Sequence, residues 1–258
     1  MAATRPFIVI VPGGAQNPAH YGYLSHLLLL AGYPVYSALL PSVGTEGKVT
    51  IDDDAAYIRD RMLLPILDYE EHDVILLMHS YGGIPGSAAA NGLSKTERSA
   101  QGKNTSVIGQ IYFAAILAKG GDGGNLLDPL GGQYPPHITP DPLLNVLRCT
   151  DRIRPLYHDV PADLAEALAV SAMVQGKTSF ESPCPRATWD SDHFKGRVAF
   201  VRTLKDASIP VDVQQMMIDG TGVEWIVKDI ESGHSPQGSQ PEKLTSIVVE
   251  LTKAFQEL

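Results

Sequence analysis

In Asp73-Val-Ile-Leu-Leu-Met-His-Ser-Tyr-Gly-Gly83, the residues from Val74 to Met78 are apolar without interruption. A run this short suits a central strand of a parallel sheet, covered on both faces. The character then changes at once. His79-Ser80-Tyr81-Gly82-Gly83 leads into a small-residue segment, Ile84 to Asn91, that reads as a helix packed closely on its strand. A serine on a sharp strand-to-helix turn, with glycines where backbones pass close together, is a nucleophile elbow. The turn holds the hydroxyl clear of the sheet, and the helix N-terminus behind it offers free N–H groups and a positive dipole end to a developing oxyanion. In the pattern G-x-S-x-G the first position is here Met78. A side chain there crowds the turn, so the elbow needs support from the rest of the chain.

Upstream, Phe7 to Val11 is a β-branched run closed by Pro12-Gly13-Gly14, a first buried strand ending in a loop. It begins almost at Met1, so strands that many relatives carry before it are expected to be missing. Asn17 to Leu30 reads as a helix with Pro18 in its first turn, Val35 to Leu39 as a strand, and Ile51 to Asp68 as a helix capped by Thr50. Asp52, Asp53 and Asp54 fall in that helix's first turn, where the dipole favours acids; with no other ligand nearby they do not suggest a metal. Downstream, Gly92 to Asn104 reads as a polar surface loop and Ser106 to Ala115 as a strand.

From Leu117 to Lys195 the alternating rhythm stops. The segment is rich in Gly and Pro, with two short helices expected at Asp141 to Cys149 and Pro161 to Val174. About 80 residues are too many for a plain connection, and such lengths carry function. The segment reads as a cap over a site. Strands at Arg197 to Thr203 and Glu224 to Lys228, and helices at Pro210 to Asp219 and Pro241 to Gln256, resume the pattern. The expected fold class is therefore α/β: a doubly wound, mostly parallel six-stranded sheet with a helical cap insertion. Residues 1–116 and 196–258 form the core domain and 117–195 the cap. Ligands of such sheets bind at the carboxyl ends of the strands, where Gly13, Ser80, Ala115, Asp206 and His234 all fall.

Composition narrows the partners. The net charge is −9, and Lys and Arg do not cluster, which argues against nucleic acid. The two cysteines, Cys149 and Cys184, suggest no disulfide framework. Met1 to Arg5 lacks a charged region followed by a long apolar core, Phe7 to Val11 being too short for a signal peptide, and no apolar run reaches the length of a membrane span. A soluble cytoplasmic protein that acts on a small molecule, without cofactor or metal, is expected; a homodimer stays open.

A serine hydroxyl needs a base to take its proton, and the base needs a carboxylate to orient it. Of eight histidines, His234 lies in Glu231-Ser-Gly-His-Ser-Pro236, the loop between the last strand and the last helix. That loop delivers the base where the chain order is Ser, acid, His. Asp206, at the end of the preceding strand, is the favoured acid over Glu231 and Asp229. His79 adjoins Ser80, yet its side chain points away and is read as structural. His193 is placed in the cap within reach of substrate. The oxyanion donors are expected to be the N–H groups of Tyr81 and Gly14. Gly13, Leu147 and Leu168 are further pocket candidates; Leu143, Leu144, Leu147, Leu164 and Leu168 recur at helical spacing in the cap.

Val11-Pro-Gly-Gly14 with Tyr21-Gly-Tyr-Leu24, the elbow Met78-His-Ser-Tyr-Gly-Gly83, the Asp206 segment, and Ser232-Gly-His-Ser-Pro-Gln237 with Gln240-Pro-Glu-Lys-Leu244 together carry a resemblance. Over nearly its whole length the chain resembles α/β-hydrolase fold proteins of the small branch that includes plant methylesterases, hydroxynitrile lyases and similar fungal and bacterial hydrolases. The resemblance implies a Ser80-His234-Asp206 triad. Pro12 departs from the histidine usual before that loop glycine. Ser235 stands where the lyases of the branch have a lysine, so cyanohydrin cleavage is disfavoured. Hydrolysis of a small apolar ester, lactone or thioester is the leading expectation. Two others stay open: C–C cleavage or cyclisation with His234 as acid and base, and a ligand-binding receptor of the same fold.

Overall fold

The computed structural model describes residues 5–258. The expectation of no leader over Met1 to Arg5 therefore lies, Arg5 apart, outside the described residues. The strands, in chain order, are β1 (Phe7–Val11), β2 (Val35–Ser37), β3 (Val74–His79), β4 (Val107–Phe113), β5 (Ile138–Asp141), β6 (Val146–Cys149), β7 (Gln175–Gly176), β8 (Val198–Thr203) and β9 (Ile226–Ile230). Six of them make one sheet in the order β2-β1-β3-β4-β8-β9, with every pairing parallel. The chain starts in the middle, steps out to β2, then returns past β1 to β3 and continues towards the other edge. Strand order thus reverses between β1 and β3, and the loops that follow those two strands diverge to leave a crevice.

The alternation of side chains across the pleat divides the core into two layers. Ile8, Ile10, Ile75, Leu77, Ile111 and Phe113 face the helices Gly22–Leu30 and Pro241–Gln256, which contribute Leu24, Leu28, Leu244, Val248 and Leu251. Val9, Val11, Leu76, Met78 and Phe200 face the other layer, with Ile51, Ile58, Met62 and Ile84. The helix expected from Ile51 to Asp68 forms with Thr50 as its cap, in a box with Asp53. It contains a wide π turn, Ile58–Leu63, just before Pro65, whose ring cannot sit against the carbonyl four residues back.

Three expectations need correction. Asp141 to Cys149 is no helix but the turn and second strand of a hairpin, β5-β6, extended by β7 into a small antiparallel sheet. The Asp141 side chain accepts the N–H groups of Leu143 and Leu144, Asn145 takes a left-handed backbone (φ 54°), and Arg148 pairs back to Asp141. The insertion is accordingly mixed rather than helical. Leu143 and Leu144, on the turn, are exposed. Gly92 to Asn104 contains a helix, Lys95–Ala100, opened by a Ser94–Glu97 capping box. No helix of the described residues is long and apolar enough to cross a membrane.

Candidate active site

Ser80 follows β3 directly and holds a left-handed backbone, φ 50°. For a residue with a side chain this conformation costs roughly 1–3 kcal/mol and persists only where the surroundings enforce it. The enforcement is visible at two glycines. A Cβ on Gly13 would stand 3.0 Å from His79 Nδ1 and 3.2 Å from Ser80 Cβ, so the loop after β1 lies directly against the serine. A Cβ on Gly86 would stand 2.6 Å from Met78 Sδ. The space denied at the first elbow position is therefore provided one helical turn later, and the Met78 side chain fills it.

Ser80 Oγ lies 3.0 Å from His234 Nε2, and His234 Nδ1 lies 2.8 Å from Asp206 Oδ2. Asp206 also accepts the Thr203 hydroxyl at 2.9 Å and the N–H groups of Ser208 and Ile209, each at 2.8 Å. Burial alone would raise its pKa, but the facing His234 and these donors outweigh burial and hold it below the usual carboxylate value. An ionised Asp206 can only accept, so Nδ1 of His234 carries the proton and the bare Nε2 faces the serine. Glu231, the rival acid, turns to solvent and pairs with Lys205 at 3.2 Å, while Asp229 pairs with Arg202.

Beside the serine, Gly13 N–H donates to the Tyr21 hydroxyl at 2.8 Å, Ala15 N–H to Gln175 Oε1 at 2.8 Å and Gln16 N–H to Gly13 O at 3.2 Å. Among the described residues Gly14 N–H has no acceptor, and a Cβ on Gly14 would lie 3.6 Å from Tyr81 Cβ. The amide of Tyr81 opens the helical turn that follows Ser80, where N–H groups have no intrahelical acceptor. Gly14 and Tyr81 line the cavity with Ser80 and His234.

What holds them is a buried polar network that sequence reading missed. Asp54 is fully buried, accepts the Tyr81 hydroxyl at 2.6 Å and the Ser42 N–H at 3.0 Å, and bonds the Ser42 hydroxyl. It is thus no solvated partner of a helix dipole; burial pushes its pKa up against these donors. Gln175, on β7, donates to Ser42 Oγ at 2.8 Å and Ser179 Oγ at 2.6 Å while accepting from Ala15. One amide side chain thereby ties the loop after β1 to the insertion.

His79 is fully buried and stacks on Phe113 at 4.6 Å. Its Nε2 donates to the His234 carbonyl at 2.9 Å, which leaves Nδ1 bare to meet the Tyr21 hydroxyl at 2.8 Å. Burial, reinforced by the neighbouring His234, lowers its pKa to about 3.

From the insertion, Leu147, Leu156, Tyr157 and Phe180 line the cavity. Two expected pocket residues are not there. Leu168 packs with Tyr157, Val160 and Ala165 in a separate small cluster, because its helix turns that face towards Gly238. His193 sits on the outside, 2.8 Å from Thr96 Oγ1 and 3.8 Å from Glu97. Gln16 and Gln175 line the cavity instead, while Tyr21 bonds Gly13 and His79 and Asp54 bonds Tyr81, roles that no spacing rule indicated.

A family model described as the alpha/beta hydrolase family matches residues 8–246. A probable hydrolase, R7, of a Phoma species is 26% identical, with 96% of this chain and 98% of the relative covered. Among solved structures, the pyrethroid hydrolase PytH superposes with a TM-score of 0.75 at 23% identity, covering 99% of this chain and 100% of that one. The methylesterase protein MES16 from Arabidopsis gives 0.69 at 18% identity, covering 96% and 99%. With its parallel sheet and its elbow serine at the switch point, the chain belongs to the alpha/beta hydrolase family.

Proposed function

We propose that the protein is a serine esterase of small, largely apolar substrates, with Ser80, His234 and Asp206 as triad. The observation that carries the reading is the unbroken chain of contacts, 3.0 Å from Ser80 Oγ to His234 Nε2 and 2.8 Å from His234 Nδ1 to Asp206. In this reading His234 takes the proton as Ser80 Oγ attacks the ester carbonyl, and Asp206 stabilises the imidazolium that forms. The N–H groups of Gly14 and Tyr81 hold the oxyanion. His234 then returns the proton to the leaving alkoxide, and the acyl-enzyme is released by a water that His234 activates in turn. Residues 117–195 act as the cap that encloses the substrate.

Two variants test it. Ser80→Ala abolishes labelling by a fluorophosphonate probe, and Asp206→Asn lowers kcat on p-nitrophenyl esters by roughly four orders of magnitude, as loss of the correct tautomer does. Labelling that persists in Ser80→Ala, or loss confined to Glu231→Gln, overturns the assignment.

A further inference from the structure

The charges around the cavity run opposite to those of the whole chain. The protein carries a net charge of −9, yet no Asp or Glu lines the cavity, and its fixed charges are Arg148 and Arg152. Arg148 is answered by Asp141 at 3.0 Å. Arg152 is not. Its terminal nitrogens donate to the main-chain carbonyls of Ala169, at 2.6 Å, and Met173, at 3.4 Å, which orient the guanidinium without neutralising it. Among the described residues no carboxylate forms an ion pair with it, and its Nε is buried without a hydrogen-bond partner. A buried donor on a charged group left unpaired is costly, and such groups are ordinarily paired.

No group lining the cavity beside it supplies a countercharge, and Asp151, the next residue in the chain, pairs with Arg154. Burial lowers His137 to about 4 and raises Tyr157 to about 12, so both are neutral near pH 7. Cys149 donates its thiol to the Asp151 carbonyl, and burial raises its pKa. Leu147, Leu156 and Ala172 give the cavity apolar wall.

We infer that the substrate carries, away from its scissile ester, a carboxylate that Arg152 receives. The inference rests on the esterase reading and narrows it from neutral esters to half-esters and other acidic esters. A guanidinium suits the task because its planar fork matches carboxylate geometry and stays charged at any working pH. The apolar wall then takes the chain or ring that joins the acid to the ester.

The test compares mono-p-nitrophenyl suberate, which has a free carboxylate, with its methyl-capped counterpart. The wild type is expected to favour the free acid in kcat/KM by about tenfold, the scale of one charge-assisted hydrogen bond. Arg152→Gln removes the preference and Arg152→Lys restores part of it. If Arg152 only clamps the backbone at Ala169 and Met173, both substrates suffer alike and the ratio stays, which overturns the inference. A second arm needs no turnover: calorimetric binding of 4-phenylbutyrate and of its amide to the Ser80→Ala protein. Tighter binding of the acid, lost in Arg152→Gln, supports the carboxylate site even if every ester proves inert, in which case the esterase reading alone fails. Esters that turn over with no acid preference, together with equal binding of acid and amide, leave the esterase and remove the Arg152 site.

Discussion

His79 shows how one side chain beside a nucleophile serves the site without touching substrate. It is tied at both nitrogens, to the His234 carbonyl and to Tyr21, and burial holds its pKa at about 3 against an ordinary 6.5. Between those values the unfolded chain binds a proton that the native state refuses. The stabilisation is therefore complete above pH 6.5 and is lost as pH falls towards 3, at up to about 1.4 kcal/mol per pH unit for one proton. In His79→Gln, the drop in unfolding free energy from pH 7 to pH 5, read by urea titration, is expected to be smaller than in the wild type by about 2 kcal/mol. An identical drop in both proteins excludes His79 as the group responsible. Ser80, Asp206 and His234 were legible as candidates because each follows a strand and together they keep a chemical order that a sequence displays. Gln175, Tyr21 and Asp54 were not, because a buried amide, phenol or carboxylate bonded across 27 to 160 residues leaves no local period.

At the scale of elements, the parallel strands announced themselves through apolar runs, whereas the hairpin β5-β6 read as a helix. Leu143, Leu144 and Leu147 match a helical face, but Asp141-Pro142 and Asn145 are turn chemistry, and that local chemistry prevailed. The consequence is functional, because the small sheet that results carries Gln175 against the loop after β1. Removing the amide in Gln175→Ala leaves the half-buried Ala15 N–H without its side-chain acceptor and frees the loop that presents Gly14. Small displacements of such donors are expensive, so kcat for p-nitrophenyl esters is expected to fall between about ten- and a hundredfold with a lesser change in KM. Fluorophosphonate labelling of Ser80 is expected to slow in parallel. Unchanged labelling shows that the loop holds its shape without Gln175.

For the molecule as a whole, the insertion is no detachable lid. Leu126, Leu147, Phe180, Cys184, Trp189 and Phe194 belong to the same buried cluster as Val9, Leu76 and Met78 of the central strands. Excising residues 117–195 would strip one layer of the core, so the cap's part in substrate choice has to be probed by single substitutions. Leu147 suits this, being buried on β6 and lining the cavity with Phe180. Leu147→Ala enlarges the cavity and removes apolar contact from any substrate that reaches the roof, while leaving the Ser80-His234 contact untouched. Discrimination in an apolar pocket is worth about 1–3 kcal/mol per methylene, so a long acyl ester is expected to lose roughly ten- to a hundredfold in kcat/KM relative to p-nitrophenyl acetate. A small fluorophosphonate, which never meets the roof, is expected to label the variant close to the wild-type rate. Equal losses for long and short esters indicate general loosening of the shared core, which a lowered Tm accompanies. Should the long ester keep its rate relative to p-nitrophenyl acetate in the folded variant, the roof does not select substrate and the cap reading fails.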